Sequence, residues 1–162
     1  MYDLTFQMFF SIPVWTILIC NFVHSWSFYL AFNTVLIYMI EVFGRNLILE
    51  LISTTVAYLT VAIAMAVGGI LSYFLRKKKV MSDTNVRKFF NTVGFSGHAI
   101  FLLAIVSAAN ETVAGFALLG TAFSFGVSLC GFYINLLDIA PRHASILVGI
   151  SNEVGTFGGN NI

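Results

Sequence analysis

Charge is missing from four long stretches of this chain: no Asp, Glu, Lys or Arg occurs from Leu4 to Ile40, from Leu51 to Leu75, from Phe89 to Asn110, or from Thr112 to Leu137. An α-helix needs about 20 predominantly apolar residues to cross about 30 Å of hydrocarbon, and each stretch can hold one. A fifth apolar stretch starts at Ala144 and runs to Ile162. The runs are continuous rather than alternating, so they read as membrane helices and not as the walls of a barrel, where every second residue faces a polar lumen. The expected fold is an all-α membrane protein of about five transmembrane helices, over approximately residues 11–32, 50–75, 89–107, 112–137 and 144–162. Together they form one membrane domain over 1–162. Pro13 falls in the first turn of the first span, where its missing N–H costs little.

Composition agrees and excludes other classes. Only 9% of the residues are charged, against about 25% in an ordinary soluble domain. A net charge of +1 implies no nucleic-acid partner. The two cysteines, Cys20 and Cys130, lie inside apolar runs and read as small buried hydrophobes rather than as a disulfide framework. No metal-ligand spacing, phosphate-binding glycine loop or nucleophile–base pair occurs, so neither an enzyme nor a bound cofactor is expected; the only implied co-substrate is a coupling ion, H+ or Na+. Met1 to Phe10 has no Lys or Arg and no small-residue cleavage signal, unlike a secretory leader.

The loops predict orientation. Arg76, Lys77, Lys78, Lys79, Arg87 and Lys88 lie between the second and third spans, and Arg142 lies between the fourth and fifth. The opposite side carries only Arg45. Cytoplasmic loops are enriched in Lys and Arg, so the basic side is expected inside, with the chain's N-terminus. Asn110-Glu111-Thr112, a glycosylation sequon in form, then falls outside, in a loop too short for ready modification.

Within the spans, polar and small residues recur at helical spacing. Asn21, His24 and Ser25 share a face of the first span, expected to point into the bundle. A mid-span histidine is a candidate for binding or passing protons, or else a neutral partner of a neighbouring helix. Gly120, Ser124, Ser128, Gly131 and Asn135 line the fourth span and Gly94, Gly97 and His98 the third, a pattern that permits close helix packing. The fifth carries Ser145, Gly149, Asn152 and Thr156 on one face, with Glu153 midway, where an ionised carboxylate costs about 2.5–3.5 kcal/mol. Asp138 and Arg142 flank the helix-ending Pro141 as an acid and a base able to pair in one conformation and part in another.

The segment from Gly131 to Asn152, with Asn135-Leu136-Leu137-Asp138-Ile139-Ala140-Pro141-Arg142 at its centre, closely resembles a helix-loop-helix signature of one branch of the major facilitator superfamily. That branch is the anion transporter family of vesicular glutamate transporters, sialin and sodium/phosphate cotransporters. Pro13-Val14-Trp15, Ser25-Trp26-Ser27-Phe28-Tyr29, Glu41-Val42-Phe43-Gly44 and Thr84-Asn85-Val86-Arg87-Lys88 resemble it too. The resemblance implies that the five spans correspond to helices seven to eleven of a twelve-helix transporter, in the C-terminal half. It also implies that transport requires a missing N-terminal half or another transporter chain, because a midplane site lies between two rocking halves. The chain alone is then expected to be inactive.

Implied substrate-binding candidates are Asn21, His24, Ser25, Asn135 and Asn152; proton-coupling or gating candidates are Glu153, Asp138 and Arg142. The implied partners are the lipid bilayer and a small organic or inorganic anion, and the implied location is the plasma membrane or an intracellular vesicle membrane. The chain departs from the family pattern at several points. His24 stands where glutamate-transporting members carry arginine, Tyr73 where the superfamily's loop motif has aspartate, Leu136 where the signature has histidine, and Glu153 where glycine is usual. The alternative reading is a non-transporting five-span remnant or accessory subunit.

Overall fold

The computed structural model of the protein describes residues 11–139 and 144–159, in which every regular element is a helix. The first apolar segment is helical from Ile12 to Phe43: α1 (Ile12–Tyr29), a π-helical turn (Leu30–Thr34) and α2 (Val35–Phe43) follow without a break. It therefore continues well past residue 32, through Glu41, and ends at Gly44, whose φ of 65° suits a residue without a Cβ.

The next three helices each start on a capping side chain. The Asn46 carboxamide oxygen accepts from Ile48 N–H at the head of α3 (Leu47–Lys77), the Ser82 hydroxyl from Asn85 N–H at α4 (Asp83–Val106), and Asn110 Oδ1 from Val113 N–H at α5 (Glu111–Ile139). Arg76 and Lys77 close the last turn of α3, where cations suit the helix dipole. The last helix is α6 (Ala144–Gly159).

Among the described residues, four helices are long and apolar enough to cross a bilayer: Ile12–Phe43, Leu47–Lys77, Asp83–Val106 and Glu111–Gly131. α6 covers 16 described residues. Large apolar side chains such as Ile63, Ile70, Leu103 and Phe116 are exposed. In water such a surface would drive aggregation, whereas lipid tails solvate it.

The chain contacts define two compact units, one holding α1, α6 and the end of α5 after Gly131, the other Leu30–Gly131. In the second unit, glycines bring α4 and α5 close together. A Cβ on Gly94 would come within 2.6 Å of the Ser128 backbone, and one on Gly97 within 2.6 Å of Ser124 Oγ. Gly120 faces the Phe101 ring and Gly131 faces Asn91 in the same way. The small-residue stripes of the third and fourth spans are thus two sides of one seam, which lets dispersion and polar contacts hold helices that have no hydrophobic effect between them in lipid. The buried His98 ring reinforces the seam, with Nδ1 lying 3.2 Å from the Thr121 backbone oxygen. α3 approaches α5 likewise, with Gly126 against the Val61 carbonyl and Gly68 against Cys130.

In the first unit, Val14, Ile17 and Leu18 of α1 form an apolar cluster with Val148, Ile150 and Val154 of α6.

Candidate functional site

The polar face of α1 meets α6. Asn21 and His24 are both 5% exposed, and Ser25 is half-buried. The Asn21 amide donates to the Ser151 backbone oxygen at 2.5 Å. A carbonyl oxygen has two lone pairs, so Ser151 can accept this bond and still serve its own helix. One turn further on, Gly155 leaves room for Ser25: a Cβ there would stand 2.5 Å from Ser25 Oγ and 3.3 Å from Asn21 Nδ2. Asn21, His24 and Ser25 of α1, with Ser151 and Gly155 of α6, are thus buried or half-buried polar and small residues inside an otherwise apolar pair of helices. Their side chains are an amide, an imidazole and hydroxyls, which can hold a proton or hydrogen-bond an anion, and none of them carries a fixed charge.

The other candidates lie elsewhere. Ser145, Gly149, Asn152 and Thr156 do share a face of α6, but it is the exposed face, and Glu153 is exposed beside them. Ser151 and Gly155 provide the packed face instead. Glu153 makes no ion pair among the described residues. Asn135 and Asp138 belong to the end of α5, where the backbone helix is described and the side chains are not; Arg142 lies outside the described residues. The structure therefore brings together Asn21, His24 and Ser25 and leaves Asn152 and Glu153 apart from their packing surface.

A second polar centre went unnoticed in the sequence. In the unit Leu30–Gly131, Arg45 Nη1 donates to Glu50 Oε2 at 3.0 Å and to Ser53 Oγ at 3.2 Å, and Arg45 Nε lies 3.3 Å from Glu111 Oε2. Glu50 is fully buried, whereas the Glu111 side chain is 57% exposed. A groove of about 290 Å³ opens beside Arg45, Ser53, Glu111 and Thr112. The signal was a lone acid one turn inside an apolar helix with an arginine just before its cap. An unpaired carboxylate at that depth is costly, so a partner close in sequence was to be expected.

No protein-family model matches the chain. It is 40% identical over 149 residues, 92% of its length, to the probable vesicular glutamate transporter eat-4 of Caenorhabditis elegans. Over 154 residues, 94% of its length, it is 43% identical both to vesicular glutamate transporter 1 of Xenopus tropicalis and to vesicular glutamate transporter 3 of Danio rerio. The chain spans about a quarter of the length of these curated relatives, 26–27%.

Proposed function

This chain is homologous along nearly its whole length to vesicular glutamate transporters, which belong to the anion transporter family of the major facilitator superfamily, and we propose that it forms part of a secondary transporter for a small anion. The observation that carries the proposal is that homology, 40–43% over 92–94% of an integral multi-pass membrane chain. The buried seam of Asn21, His24 and Ser25 supports it, because the seam supplies hydrogen-bonding groups within a membrane span.

His24 is the residue assigned to the anion. An imidazole attracts a carboxylate or phosphate only in its protonated fraction, and its ordinary pKa is about 6.5. Transport should then weaken as the pH facing the site rises through the histidine's own pKa. H+ is the proposed coupling ion, since a titratable group serves where a fixed cation would hold the anion at any pH.

The test is uptake of labelled glutamate and of phosphate, against pH, by proteoliposomes holding a chimera of this chain with the N-terminal half of a related transporter. The expected result is saturable uptake that weakens with rising pH, flattens in pH in His24→Arg and loses anion affinity in His24→Ala. The chain on its own is expected to show no uptake. An active chimera in which His24→Ala changes neither affinity nor pH profile would reduce His24 to packing.

A further inference from the structure

The groove beside Arg45 combines charge and apolar wall in a way that selects its occupant. α3 and α5 both begin at the end of their unit opposite the basic loop Arg76–Lys88, and Arg45 joins their heads through Glu50 and Glu111. At the mouth sit Arg45, Glu111 and the hydroxyl of Thr112. Ile52, Val56, Phe116 and Leu119 continue the groove along the two helices, to a depth of about 8–14 Å from their first residues at 1.5 Å per residue.

Two features of Arg45 point to a ligand. Its Nε–H is buried and makes no hydrogen bond; the approach to Glu111 Oε2 is an ion pair only. Glu50, which the guanidinium neutralises, is fully buried, while the exposed Glu111 is free to turn outward. With all three groups ionised the cluster carries one net negative charge. A purely anionic ligand is therefore disfavoured. A headgroup bearing a phosphate and a primary ammonium satisfies both ends: a phosphate oxygen accepts from Arg45, which binds phosphate as a planar fork, and the ammonium donates to Glu111.

We infer that this groove binds a phospholipid with a primary-amine headgroup, such as phosphatidylethanolamine, with its phosphate on Arg45, its ammonium on Glu111 and an acyl chain along Ile52, Val56, Phe116 and Leu119. The apolar walls favour the lipid over a free zwitterion of the same charge pattern, which would leave them without a partner. The groove shares no residue with the Asn21–Ser151 seam, and the inference does not depend on transport.

Native mass spectrometry of the delipidated chain, offered dioleoyl phosphatidylethanolamine or phosphatidylcholine in equal amounts, tests this. Retention of the ethanolamine lipid should exceed that of the choline lipid about two- to fivefold, because a trimethylammonium has no N–H for Glu111. Glu111→Leu, which removes the acceptor altogether, should abolish that preference and keep overall lipid retention. Arg45→Gln alone would strand a buried carboxylate, so it is paired with Glu50→Gln; this double variant should retain both lipids about tenfold less. Equal retention of the two lipids by the unsubstituted chain, or a preference that survives Glu111→Leu, overturns the proposal. So does displacement of the lipid by an equal concentration of glycerophosphoethanolamine, which would mark a site for a soluble zwitterion.

Discussion

The side-chain amide of Asn21 donates to the backbone oxygen of Ser151, joining helices whose bonded residues are 130 positions apart in the chain. In lipid such a bond has no competing water, yet partners found in the unfolded state limit its net worth to about 0.6 kcal/mol on average and about 1.7 at most. Asn21→Ala should destabilise the α1–α6 pair by that amount. Gly155→Ala should cost only about 1 kcal/mol or less, since its Cβ would meet mainly the Ser25 hydroxyl, at 2.5 Å, which can rotate away. Adding Ser25→Ala should recover part of the loss. Unfolding in mixed detergent by near-ultraviolet circular dichroism reads all three; a neutral Asn21→Ala would mean the helices are not joined as described.

The α4–α5 seam yields a graded series. A Cβ on Gly94 meets Ser128 backbone at 2.6 Å, one on Gly97 meets mainly a hydroxyl that can rotate away, and one on Gly69 meets nothing within 4 Å. Gly94→Ala should therefore destabilise by about 1–3 kcal/mol or more, Gly97→Ala by less, and Gly69→Ala hardly at all. The same unfolding measurement ranks them, and any other order contradicts the seam.

How much of this could be read beforehand depends on whether a residue's partner was implied by its own helix. Charge-free runs show where helices lie, because hydrocarbon tolerates nothing else. The stripes Gly94–Gly97 and Gly120–Ser124–Ser128–Gly131 announced a packing seam, since small residues at that spacing have little other use in lipid. α6 was ambiguous. Asn152 and Ser151 are neighbours on different faces, both small or polar, and only the position of Asn21 on α1 decides that Ser151 and Gly155 are the packed ones. The Arg45–Glu111 contact was hidden for the same reason: Arg45 lies in the loop before α3 and Glu111 is the first residue of α5, and no periodicity links them. The π-helical turn at Leu30–Thr34 left no visible mark in the pattern of apolar residues.

Arg45 and its two acids should respond unequally. Removing one partner of a buried pair leaves a charge uncompensated and costs about 3–5 kcal/mol, whereas an exposed pair is worth about 0–1 kcal/mol. Arg45→Ala should thus be severe and Glu111→Gln close to silent. Arg45→Met combined with Glu50→Leu should recover most of the loss, because the fully buried carboxylate goes with its partner. Thermal unfolding of the three variants checks this; an Arg45→Ala as mild as Glu111→Gln would show that Glu50 does not depend on the guanidinium.

Orientation is tested by single cysteines in a background lacking Cys20 and Cys130. A cysteine at Lys78, in the basic turn, should react with an impermeant maleimide only after the cell is opened. One at Asn110 should react from outside in intact cells. The reverse pattern would invert the topology that the lysines and arginines predict.

The 31 residues of α3 bear on which bilayer suits the chain. Its uncharged stretch, Leu51 to Leu75, makes about 37 Å of helix, against about 27 Å of hydrocarbon in the endoplasmic reticulum and about 32–33 Å in sterol-rich plasma membrane. The mismatch is smaller in the thicker membrane, and the remainder is absorbed by tilting. Each ångström is worth only a fraction of a kcal/mol, but such differences sort proteins among organelles. By thickness alone, α3 favours departure from the membrane in which the chain is made.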